Sequence, residues 1–93
     1  MTRTEILDAA KSIVTGEREK QYGGAENSFS TIANLWMDYW VAKGHEVPIG
    51  PTDVAVMMAL LKIARIAGGR FKEDSYIDAC GYMACAGEIE GAE

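Results

Sequence analysis

Apolar residues recur along this chain at steps of three and four, the signature of helices with one buried side. Ile6, Ala9, Ala10, Ile13 and Val14 form the first such stripe and predict a helix from about Thr4 to Val14. Thr2 and Glu5 stand at capping-box spacing ahead of it, and Gly16 is placed to end it. A second helix should begin between Glu26 and Ser28 and stop before Gly44, carrying Phe29, Ile32, Ala33, Trp36, Tyr39 and Trp40 on one face. The segment HEVPIGPTD reads as an ordered turn that delivers Thr52 as the N-cap of a third helix, Asp53 to Ala67. That helix is apolar on nearly every side, as expected of an element surrounded by others. Gly68 and Gly69 end it, and a fourth helix, rich in small residues, follows from about Asp74 to Ile89. Gly81 inside that helix is best tolerated where a neighbouring helix or a ligand approaches closely, close packing being the commoner cause, because an interior glycine costs about 1 kcal/mol relative to alanine.

The pattern therefore predicts an all-α fold, a compact four-helix bundle formed by residues 1–93 as one domain. The aromatic face of the second helix divides between core and a second subunit, since aromatic side chains are enriched in interface cores, so dimerisation would complete the bundle. The alternative is that all of it is core.

Composition narrows the function classes. The net charge of −5 argues against a general nucleic-acid binder, which needs clustered cations for phosphate backbones. The longest apolar run, VAVMMALL, is far short of the roughly 20 residues of a membrane span, and the N-terminus lacks an export signal's apolar block, so the expected location is cytoplasmic. Cys80 and Cys85, five apart in one helix, point about 140° apart and read as buried thiols. His45 has no second His or Cys at ligand spacing and reads as an exposed loop residue.

Lys62 and Arg65 are the only charged residues between Val54 and Ala67, and Asp74 and Asp78 lie four apart on the next helix. If these helices form an antiparallel hairpin about residues 70 and 71, Lys62 is level with Ala79 and Arg65 with Tyr76, which brings the carboxylates near the cations. The bland reading is a pair of interhelical salt bridges. The functional one is a ligand site, because buried ion pairs seldom outperform apolar packing. Lys62 and Arg65 suit phosphate oxygens, while Asp74 and Asp78 suit a Mg²⁺ that bridges them. The connection GEREKQYGGAENSF, Gly16 to Phe29, would close one end of such a cleft. Its Arg18, Lys20 and Tyr22 supply cations and a ring, and Gly23 and Gly24 let the backbone approach an anion.

The order EKQYGGAENSF, VAVMMALLKIARI, DSYIDACGYMACAGEI resembles a group of small phage and prophage proteins of uncharacterised function. More distantly it is similar to phage nucleotide-modification-associated proteins and to MazG-like all-α nucleotide pyrophosphohydrolases. The resemblance rests most on Tyr22-Gly23, on Lys62 and Arg65, and on Asp74 and Asp78 followed by Gly81-Tyr82. It implies a MazG-like bundle, often a homodimer, with a nucleotide site between helices, in the cytoplasm of a bacterial host. The pyrophosphohydrolases hold Mg²⁺ with a Glu-x-x-Glu pair and a Glu-x-x-Asp pair on successive helices. Asp74 and Asp78 are a counterpart of the second pair at a spacing of four, and the first pair has none. Gln21 also stands where the nucleotide-modification relatives commonly carry Asp. These departures count against hydrolysis more than against nucleotide binding. Two readings follow: a nucleotide-binding protein, with Mg²⁺-dependent pyrophosphohydrolysis left open, or a non-catalytic protein that sequesters a host nucleotide signal or docks on a host protein.

Overall fold

The computed structural model describes residues 1–16 and 24–92, and among them there are four α-helices and no strand. α1 spans Arg3–Thr15, α2 Ala25–Ala42, α3 Pro51–Gly68 and α4 Glu73–Gly91. The capping box forms at the start of α1: the Glu5 N–H donates to Thr2 Oγ1 at 3.2 Å, and the Thr2 N–H donates to Glu5 Oε1 at 2.9 Å. That second bond holds the Glu5 carboxyl below its ordinary pKa. α2 begins after Gly24, whose φ of 103° is a conformation that side chains resist, so glycine is required there.

α3 corrects the expected start. Gly50, not Thr52, is the N-cap, and Pro51 occupies the first turn, where its missing N–H costs nothing. Asp53 completes the cap by accepting the Gly50 N–H at 2.9 Å. Ile49, in the preceding loop, is buried and fixes that loop to the core.

The core gathers Phe29 and Ala33 of α2, Val54 and Ala55 of α3, and Ala86 of α4 around Ile49. Small side chains let these helices approach closely. α3 and α4 form the extensive antiparallel hairpin that the sequence register anticipates, α2 packs on α3, and α1 packs chiefly on α4. Gly81 allows that last contact, because a Cβ there would lie only 3.2 Å from Val14 Cγ1. The Met1 amine reaches Glu73 Oε1 at 2.6 Å, which ties the start of α1 to the start of α4 and raises the amine's pKa.

This order of packing leaves the assembly open where a compact bundle was expected. The radius of gyration is 14.4 Å, against roughly 12 Å for a compact domain of this length. Nor is α3 surrounded, since Met57, Leu60, Leu61 and Ile63 are all exposed. On α2, Trp36 packs partly into the core, whereas Tyr39 stays 60% exposed and Trp40 39%. The Trp40 ring instead meets those of Tyr39 and the exposed His45 edge-on, at 5.6 and 5.9 Å. Cys80 and Cys85 are half-buried rather than buried.

Candidate functional site

The turn of the α3–α4 hairpin, residues 69–72, is short enough to bring the last turn of α3 against the first turns of α4. A depression of about 790 Å³ opens there. Lys62, Arg65, Asp74 and Asp78, the four charged residues singled out in the sequence, all line it. Arg70 and Lys72 join them. Sequence reasoning passed over these two, although they sit in GRFKE at the predicted pivot of the hairpin and had to lie beside whatever the hairpin brings together.

The four expected charges do not form two bridges. Lys62 Nζ lies 2.8 Å from Asp78 Oδ2, with both side chains only partly exposed. Arg65 and Asp74 are exposed, and neither is in an ion pair among the described residues. The offset is partly angular: residues three apart differ by about 60° around a helix, so Lys62 and Arg65 do not present the same direction to α4. Arg65, Arg70 and Lys72 thus keep their charge available. With four cations against two carboxylates, the depression has a local charge of +2 in a chain whose net charge is −5.

The Lys62–Asp78 bridge is structural on this geometry. Replacing Lys62 with Met is expected to cost about 1.5–3 kcal/mol, the value of a charge-assisted bond whose partner is left half-buried. The double change Lys62→Met with Asp78→Leu should recover most of that loss in chemical denaturation. Additive losses in the double mutant would show that the two side chains are not coupled.

Asp78 is also the charged member of a second, smaller cavity of about 270 Å³, where Phe29, Ile32, Met58 and Tyr82 provide largely apolar walls. Gly24 lies at its rim. Arg18, Lys20, Tyr22 and Gly23, the loop residues expected at the ligand, lie outside the described residues. Among the described residues no group of three or more His, Cys, Asp or Glu side chains gathers as a metal cage. Asp74 and Asp78 would therefore fit Mg²⁺ only together with ligand phosphates, the manner in which that ion is commonly held. None of the described helices is long and apolar enough to cross a membrane.

Residues 5–90 match the model of a family described as "Domain of unknown function (DUF6378)". The "Gene 55 protein" of Mycobacterium phage L5 is 42% identical over 85 residues, which cover 91% of this chain and 50% of that protein. The "Gene 55 protein" of Mycobacterium phage D29 is 39% identical over 84 residues, 90% of this chain and 52% of that protein. The chain thus spans about half the length of these relatives. No solved structure matches it.

Proposed function

Since the chain belongs to this family, the Domain of unknown function DUF6378, and is homologous to phage Gene 55 proteins, we propose that it binds a nucleotide through the charged depression at the α3–α4 turn. The observation that carries this reading is the set of cations there: Arg65, Arg70 and Lys72 face one concavity without carboxylate partners among the described residues. Guanidinium groups match phosphate oxygens in pairs, and a lysine adds a mobile point charge. The N-terminus of α4 opens on the same depression through Asp74 and Ser75 and adds the positive end of its dipole.

A Mg²⁺ bridging the phosphates would find its protein ligand in Asp74, because Asp78 is engaged by Lys62. This placement is what a distant kinship with MazG-like nucleotide pyrophosphohydrolases would require of the second carboxylate pair. It differs from those enzymes in having two cations on the facing helix instead of two acids. Binding is accordingly the proposal, and turnover is one outcome of its test.

Titration calorimetry with ATP, GTP and inorganic triphosphate, each with and without Mg²⁺, tests the reading. Saturable binding at the depression is expected, and a ligand present at 100 times its dissociation constant should stabilise the fold by about 2.7 kcal/mol. Product release that depends on Mg²⁺ would identify an enzyme. Absence of binding at millimolar ligand would reject the site and favour the second reading, a non-catalytic protein that docks on a host protein. That reading is supported by the exposure of Leu35, Tyr39 and Trp40 along α2.

A further inference from the structure

α3 has two apolar faces, and this chain covers only one. Val54, Ala55, Met58 and Ala59 turn toward the other helices. Met57, Leu60, Leu61 and Ala64 lie on the opposite side at the spacing of a helix-docking stripe, and all four are exposed, Leu60 at 57%. No charged residue interrupts the stripe, since Asp53 stands at its start and Arg65 at its edge. The open face of α2 is different: Asp38 lies beside Leu35 and Tyr39.

The exposed surface is larger than a compact monomer of this size requires. The chain exposes 6760 Å², whereas a compact monomer of its mass exposes about 5300 Å². The excess is larger than the roughly 800 Å² that each partner buries in a standard interface. We infer that the outer face of α3 is where a second copy of this chain docks, α3 against α3 about a two-fold axis.

The stripe is suited to pairing with itself. An antiparallel match centred between Leu60 and Leu61 sets those two residues against each other. It also sets Met57 opposite the second copy's Ala64, a long side chain against a small one. A two-fold interface needs such self-complementarity.

The same face leads into the functional depression. Leu61, Ala64 and Gly68 line that depression while belonging to the open side of α3. A second copy docked on the stripe therefore supplies a wall where the depression now opens to solvent, with the first turns of its own α3. This consequence rests on the phosphate-binding reading above, and it makes ligand affinity and dimer affinity reciprocal.

Sedimentation equilibrium at micromolar concentration tests the face. The parent should have twice the 10.1 kDa chain mass. Leu60→Glu and, separately, Met57→Glu should weaken the dimer by about a hundredfold or more, with helicity by circular dichroism unchanged because both side chains are exposed. Leu35→Glu, on α2, should leave the dimer intact. In the Leu60→Glu monomer, inorganic triphosphate should bind about tenfold more weakly than in the parent. A monomeric parent, a dimer that survives Leu60→Glu, or one broken by Leu35→Glu would overturn the assignment. A parent that dimerises without binding triphosphate would count against the phosphate site and not against this face.

Discussion

Exchanging Arg65 and Arg70 together for glutamate is expected to weaken nucleoside triphosphate binding by two orders of magnitude or more while the fold persists. Both arginines line the depression, and neither is engaged in an ion pair among the described residues. A hydrogen bond to a charged group contributes about 1.5–3 kcal/mol, so losing two forfeits about 3–6 kcal/mol, or roughly two to four decades in affinity. Repulsion from the new carboxylates adds to the loss. Stability should change little, because exposed substitutions away from caps and networks usually stay within about 0.5 kcal/mol. Calorimetry and thermal melting of the double variant separate the two effects. Unchanged affinity would remove the arginines from the site, and a large fall in melting temperature would show that they hold the hairpin turn.

The second large effect is structural. Phe29→Ala should cost about 3–5 kcal/mol, out of a total of roughly 5–14 kcal/mol for a chain of this length. Phe29 is 8% exposed, lies at the centre of the cluster that joins α2 to α3, and its ring sits 6.1 Å from that of Tyr82. It also walls the smaller cavity, so the space it vacates would merge with an existing void instead of collapsing. A fall in melting temperature of roughly 12 °C or more is the expected reading. A loss below about 1 kcal/mol would mean that α2 is held by contacts other than this ring.

Local rules make the helices legible in the sequence. The stripe at Ile6, Ala9 and Ala10 and the Thr2–Glu5 box specify α1 without reference to the rest of the chain, and the structure forms both. Gly81 announced a close neighbour, and Val14 is that neighbour. The start of α3 was misread because two signals compete there. Thr52 is a good cap by residue type, but Pro51 at the first position and the Asp53 carboxylate on the Gly50 N–H move the start two residues earlier.

What periodicity does not carry is where a neighbouring surface comes from. An all-apolar helix reads as enclosed, yet on α3 the face of Met57 and Leu60 lies open, and nothing in spacing distinguishes a neighbour in the same chain from one in another. Register was legible along the axis and not around it. The antiparallel match places Lys62 level with Ala79, one residue from Asp78, and Lys62 meets Asp78 at 2.8 Å. It places Arg65 level with Tyr76, and Arg65 lines the depression with both carboxylates but forms an ion pair with neither. Arg70 and Lys72 escaped notice because turn residues have no periodicity to mark them.

If the α3–α4 turn is a phosphate site, a residue-resolved NMR titration of the parent chain with inorganic triphosphate will locate the ligand there. Saturable shifts should concentrate on the backbone amides of the last turn of α3 and the first turn of α4, from Arg65 to Ser75, and disappear in the Arg65→Glu, Arg70→Glu variant. An unchanged spectrum at millimolar triphosphate, or shifts of equal size in parent and variant, would contradict it.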